Sequence, residues 1–103
     1  MLKHIVLFTL GDFASGEAKC EQLALIKREL EALPALIPAL HSLEVHYNEN
    51  PAESYDFGLV AVVDSLATLP EYADHPEHVR VAREFIKPYL KARACIDYTE
   101  PTA

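Results

Sequence analysis

Residues 71–82 read EYADHPEHVRVA and hold three side chains able to do chemistry: Tyr72, His75 and His78. Such a stretch fits a small active site, a metal clip or a helix start with polar residues at its cap. Proline suits the first position of a helix, because its missing N–H would lack a partner there anyway. With Pro76 in that position, His75 is the cap and His78 lies in the first turn. The positive end of the helix dipole disfavours an added positive charge at that turn. His78 is then held neutral near pH 7 and free to accept a proton. A well-placed neutral imidazole acts as a general base contributing on the order of 100-fold or more. A metal site wants a third and usually a fourth ligand. Asp74, Glu77 and His4 are candidates, but no motif fixes them, and a cap histidine need not converge with one inside the helix. No metal is therefore expected.

The rest of the composition narrows the chemistry. The chain has 103 residues with a formal net charge of -7, and half of its residues are apolar. That length reads as one domain, residues 1–103. Phosphate binding needs clustered Lys and Arg, so nucleic acid is not an expected partner, and neither is an anionic membrane surface. No stretch approaches the ~20 apolar residues of a membrane-crossing helix. The start, MLKHIVLFTLGDF, alternates like a strand and does not read as a signal peptide, so a reduced cytoplasmic protein is the default. Cys20 and Cys95 are too few for a disulfide scaffold and are expected as small packed side chains. With three glycines and no phosphate loop, and no strained serine elbow, neither a nucleotide cofactor nor covalent catalysis is expected. The cofactor expectation is none.

Hydropathy patterning supplies the elements that must position these side chains. LKHIVLFTL, residues 2–10, is a β-branched and aromatic run ending at Gly11-Asp12, hence a strand. Ser15 caps a helix on which Leu23, Ile26, Leu30 and Leu33 form one stripe, with Lys27, Arg28, Glu29 and Glu31 outside, until Pro34 stops it. LPALIPAL is a turn or loop. HSLEVHY, residues 41–47, alternates as a half-exposed strand, leaving His41 and His46 solvated. YDFGLVAVVD is a strand apolar on both faces. Asp64 or Ser65 caps a short helix through about Tyr72. Pro76 opens the next, with Val79, Ala82, Phe85, Ile86 and Tyr89 on one side. ARACIDY, residues 92–98, is the last strand, and EPTA is a frayed tail. The order β-α-β-β-α-β predicts a ferredoxin-like α+β fold: a four-stranded antiparallel sheet with helices on one face.

Two main helices cover one face of such a sheet, yet the other face is not polar. Along the first strand His4, Val6 and Phe8 point one way and Ile5 and Leu7 the other; in the third strand Val60 and Val62 share the second face. Two-sided apolar strands need cover on both sides. The simplest cover is a second copy, sheet against sheet, giving a homodimer.

The segments MLKHIVLFTL, LPALIPALHSLEVHYNEN, YDFGLVAVVDSLATLPEY, DHPEHV, FIKPYL and DYTEP, in that order, resemble the stress-responsive α/β-barrel (Dabb) family of dimeric barrels. The resemblance spans nearly the whole chain and implies a dimeric α/β barrel. The family holds plant stress-induced proteins and also polyketide cyclases that close a linear chain by aldol condensation without a cofactor. In the cyclases a strand-1 histidine, a tyrosine before the HP-x-H segment and the last histidine of that segment form the site. The matching positions are His4, Tyr72 and His78. Those cyclases also use a tyrosine on the first helix, whereas residues 15–33 here contain no aromatic residue.

The resemblance thus implies His78 as general base, Tyr72 as hydrogen-bond donor to a carbonyl becoming an enolate, and His4 as an orienting group. The pocket would be floored by His4, Val6 and Phe8 and flanked by Tyr72, His78 and Phe85. The first functional reading is binding of a small hydrophobic carbonyl or phenolic compound, by a cofactor-free enzyme of cyclase, isomerase or monooxygenase type. The second is a non-catalytic, stress-associated structural dimer. A cavity reaching His78 favours the first, and a filled core there favours the second.

Overall fold

In the computed structural model, which describes residues 1–101, β1 (Leu2–Leu10) runs through the middle of one four-stranded sheet. Its partners are β3 (Phe57–Val63) on one side and β4 (Leu90–Thr99) on the other, with β2 (Ser42–Tyr47) beyond β3. Every pairing is antiparallel, and the order β2-β3-β1-β4 is that of a ferredoxin-like fold. The helices are α1 (Gly16–Glu31), α2 (Leu69–Ala73) and α3 (Pro76–Val81). β4 is longer than the expected 92–98. Glu100, expected in a frayed tail, is held by its N–H to the Met1 carbonyl (3.0 Å) and by Lys3 (2.7 Å). The last two residues of that expected tail lie outside the described residues.

Alternation along β1 sorts its side chains. Leu2, His4, Val6, Phe8 and Leu10 are buried toward the helices, and Ile5 and Leu7 face the opposite side, where Leu7 is exposed. β3 repeats the pattern, with Phe57, Leu59, Ala61 and Val63 buried. Ile26, Leu30 and Leu33 meet them from above, with Leu23 half-buried. Ser15 caps α1 through its Oγ, which accepts from the Ala18 N–H at 3.0 Å. The helix ends at Glu31, and Pro34 sits in a short 3₁₀ turn, Leu33–Ala35.

Lys27 and Glu31, expected on the outer face of α1, instead close the free edge of β2. Lys27 donates to the Val45 carbonyl (2.7 Å) and the Val45 N–H donates to Glu31 (2.9 Å). An edge strand presents unpaired backbone groups, and this pair satisfies two of them. The cap of α2 is also not as expected. It is Thr68, whose hydroxyl accepts from the Ser65 N–H and donates to the Ser65 carbonyl, tightening the turn before the helix instead of capping it. Of the two cysteines expected to be packed, Cys95 is half-buried and Cys20 is exposed on α1, because it falls off that helix's apolar stripe.

One carboxylate fastens three elements. Asp56, just before β3, accepts the Leu10 N–H at 2.7 Å and binds Lys19 of α1 at 2.9 Å, while its own N–H donates to the Phe8 carbonyl at 2.8 Å. Asp56→Ala leaves the Leu10 donor without its partner and is expected to lower unfolding free energy by roughly 1–3 kcal/mol. Urea unfolding checks this, with an unchanged slope and a lower midpoint as the expected outcome.

Candidate active site

Register, more than sequence proximity, assembles the site. Antiparallel pairing sets Asp97 of β4 opposite His4, Cys95 opposite Val6 and Arg93 opposite Phe8, all on the helix-facing side of the sheet. His4 Nδ1–H donates to the Asp97 carboxylate at 2.6 Å, which leaves Nε2 as the other ring nitrogen. Cys95 Sγ lies 3.5 Å from the same Nδ1. Burial raises the Cys95 thiol above its ordinary value, with the Asp97 charge adding to the effect, so it is not an activated nucleophile.

Above this wall, α2 delivers Tyr72 from its last turn, and α3 delivers His78. Tyr72 is 1% exposed and packs between the two histidines: the His4 ring meets it edge-on at 6.2 Å and the His78 ring lies tilted against it at 4.5 Å. Its hydroxyl is buried and has no hydrogen-bond partner among the described residues. Burial pushes its ionisation far above the ordinary phenol value, partly opposed by the charge of Arg93, so Tyr72 remains a proton donor.

His75 is the cap of α3, its Nδ1 accepting from the Glu77 N–H at 3.1 Å, and Pro76 is the first helical residue. His78 Nδ1–H donates to the Ala73 carbonyl at 2.8 Å, an acceptor left open where α2 ends. In the neutral ring this fixes the proton on Nδ1 and leaves the Nε2 lone pair free to accept. The His78 pKa is lowered, chiefly by burial; the Ala73 carbonyl works against this, and the charges of His4 and Arg93 add to it. Burial is therefore the largest cause favouring the neutral imidazole.

His4, Tyr72 and His78 line one cavity of about 560 Å³ between the β1–β4 half of the sheet and the helices. Val6 and Phe8 line it as expected from the alternation of β1. Phe85 does not. After α3 the chain makes a π-helical turn, Ala82–Ile86. That wider turn brings Ala82, Ile86 and Lys87 to the cavity. Phe85 is carried aside toward α1, where its carbonyl accepts from Gln22 at 2.9 Å and its ring lies under Arg80. A groove of similar size, about 570 Å³, between α1 and the loop after β2 is lined by no histidine.

Sequence reading missed Asp97, Arg93 and Lys87. The alternation of ARACIDY does put Arg93, Cys95 and Asp97 on one face, but which face, and opposite which residue, depends on the register. His75 and His78 form no metal cluster among the described residues; ligand atoms of His4, Cys95 and Asp97 do lie within 4.8 Å of one another. The 2.6 Å separation of the His4 and Asp97 atoms is that of a hydrogen bond. Two ligands ~2.0–2.2 Å from one tetrahedral zinc stand further apart, so the pair would have to open to admit an ion.

The sheet, its order and the cavity under two short helices define a ferredoxin-like α+β protein with a small-molecule-sized hollow. The family model for the Stress responsive A/B Barrel Domain, Dabb, matches residues 2–100, and the chain belongs to that family. It is 29% identical over 99 residues to a stress-response A/B barrel domain-containing protein of Arabidopsis thaliana, a match covering 95% of this chain and 36% of that protein. The chain thus spans about a third of the length of that curated relative. A dimeric protein of unknown function with a ferredoxin-like fold from Bacteroides fragilis superposes with a TM-score of 0.86 at 39% identity, over 94% of this chain and 93% of that one. A dimeric ferredoxin-like protein of unknown function from Thermobifida fusca gives 0.79 at 29% identity, over 96% and 90%. No helix among the described residues is long and apolar enough to cross a membrane.

Because the folded pKa of His78 lies below its ordinary 6.5, the folded state binds that proton less readily than the unfolded chain. Its contribution to stability is complete above about pH 6.5 and is lost as pH falls from there through the lower folded value. In an NMR titration the His78 ring is expected to reach its midpoint below that of a free histidine. In His78→Gln the matching part of the acid-side loss of stability should disappear from pH-dependent urea unfolding.

Proposed function

We propose that this protein binds a small hydrophobic compound bearing a carbonyl or phenolic oxygen, and that it is a cofactor-free enzyme abstracting a proton next to that oxygen. The observation that carries this reading is the orphaned Tyr72 hydroxyl. A buried hydroxyl without a partner costs roughly 1–3 kcal/mol, and the ring that carries this one packs against two imidazoles in the wall of a cavity. A ligand oxygen would supply the missing acceptor. His78 Nε2 takes the proton, Tyr72 donates to the oxygen as negative charge develops on it, and His4, oriented by Asp97, holds the substrate or the second proton position. The hollow favours this reading over a purely structural role for the histidines.

The functional unit in this reading is a homodimer. On the face of the sheet away from the helices, Ile5 pairs across to Val60 and Ile96, and Leu7, Ile96 and Tyr98 are exposed, Ile96 by 62%. A contiguous apolar face on a chain of net charge -7 calls for cover, and the dimeric relatives support a second copy as that cover.

Exchange of the acidic protons of a hydrophobic β-diketone into D₂O, followed by proton NMR, tests the chemistry. Wild type is expected to accelerate exchange over buffer, and His78→Gln to lose on the order of 100-fold or more of that acceleration. A wild-type rate equal to buffer across phenolic, β-diketone and lactone compounds, with no thermal shift from any of them, would sink the enzyme reading. For the assembly, Ile96→Arg places a charge on the apolar face proposed as the interface. Light scattering at micromolar concentration is expected to give two chains for wild type and one for the variant.

A further inference from the structure

The cavity holds cations that neither the fold nor the proton chemistry uses. In a chain with nine Lys and Arg against 16 Asp and Glu, an unpaired cation is the exception. Lys3, Lys19, Lys27, Arg80, Arg83 and Lys91 each have a carboxylate partner. Arg28, Lys87 and Arg93 have none among the described residues, and Lys87 and Arg93 both line the cavity under His78 and Tyr72.

Their placement is one-sided. Arg93 stands opposite Phe8 and Asp97 opposite His4. Four residues of strand separate those two levels along the backbone, about 13 Å at the ordinary rise per residue, and the Arg93 side chain reaches from its own level toward Cys95, which stands opposite Val6 midway between them. Lys87 lies in the 3₁₀ turn Lys87–Tyr89 that leads directly into β4, so it belongs to the Arg93 end. The carboxylates of the cavity lie elsewhere: Asp97 is bound to His4, and Asp74 is at the end of α2 next to His78. Between the two ends the walls are apolar, with Val6, Phe8, Leu30, Leu59 and Ile86. The Arg93 charge is nonetheless felt at both Tyr72 and His78, which ties the cationic end to the reacting one.

We infer that the ligand is an amphipathic carboxylic acid, its carboxylate held by Arg93 and Lys87 and its carbonyl or phenolic oxygen placed at Tyr72 and His78. This rests on the small-molecule reading of the same cavity and names its substrate class. A guanidinium presents a fork that matches a carboxylate with two parallel hydrogen bonds. A phosphate would call for more donors, such as a glycine-rich loop, and no glycine lines this cavity. An apolar spacer bridging the two ends matches the walls between them. Holding the acid end would fix which carbonyl presents its neighbouring proton to His78, so Arg93 and Lys87 would set specificity without touching the reacting atoms.

The test uses the full chain and matched probes: phenylacetic, phenylbutyric and phenylhexanoic acids, each against its own primary amide. Calorimetry gives affinities, and the His78 ring signals in NMR report whether a probe enters the cavity. At least one acid is expected to bind about tenfold or more tighter than its amide, the worth of a charge-assisted contact. Arg93→Gln with Lys87→Gln should erase that preference by bringing acid affinity down to that of the amide, while Arg93→Lys should keep part of it. Both residues are exposed, so unchanged melting points are expected. Acids and amides that move the His78 signals with equal affinity, or a preference that survives in the double variant, would overturn the carboxylate assignment and leave the small-molecule reading standing. If no probe of either kind moves those signals, both fall.

Discussion

Everything in this molecule hangs on the central strand of the sheet being apolar on both faces. β1 has neighbours on each side, and its alternation commits Leu2, His4, Val6, Phe8 and Leu10 to the helices and Ile5 and Leu7 to the other face. A slip of one residue would exchange the two sets. Burial of the first set against α1 and β3 therefore fixes the register, and the register in turn decides which β4 residue meets His4. Core, candidate site and outer face are three consequences of one alternation, which is why the site needs no long loop to build it.

Desolvation then decides what the site can do. Tyr72 and His78 reach the cavity from two very short helices that could not stand alone. They are held by packing and by the His78–Ala73 hydrogen bond, which spans the break between them. Burial moves the two groups in opposite directions along the pH scale but to the same end: the phenol keeps its proton and the imidazole stays without its second one. A donor and an acceptor in contact, both uncharged, suit a reaction in which charge appears only as the proton leaves carbon. The Tyr72 hydroxyl shares that burial and meets no hydrogen-bond partner among the described residues.

How much of this was legible in the sequence follows the range of the interactions involved. Local physics was readable: the alternation of β1, the Ser15 cap, and Pro76 opening a helix behind His75. The β-α-β-β-α-β order followed from these, and so did His4, Val6 and Phe8 sharing a face. Phe85 was misplaced because a periodicity of 3.6 was carried through a stretch that forms a π-helical turn, and no residue type in AREFI announces that turn. Thr68 was passed over because its hydroxyl bonds back to Ser65 and not forward into the helix. Asp97, Arg93 and Lys87 stayed invisible for a different reason. Each is an ordinary surface residue in its own segment and gains meaning only from the cavity that distant parts of the chain build around it, as with Asp97 and His4 at a separation of 93.

The same pairing links the outer face to the inner one. β4 is an edge strand, bonded to β1 on one side only, and most of its residues are exposed. Ile96 and Tyr98 point outward, while Cys95 and Asp97, their immediate neighbours in the chain, point into the cavity. In a monomer the position of Asp97, and through it the orientation of His4, would depend on a strand free to fray from its open edge. Covering Ile96 and Tyr98 with a second sheet would hold β4 from outside and so hold the His4–Asp97 pair without any partner residue entering the site. Rotating a side chain by a few tens of degrees is enough to lose a 2.6 Å hydrogen bond. On this argument, cover over the apolar outer face would do more than pair two copies: it would keep the cavity wall in register with the two helices that complete the site.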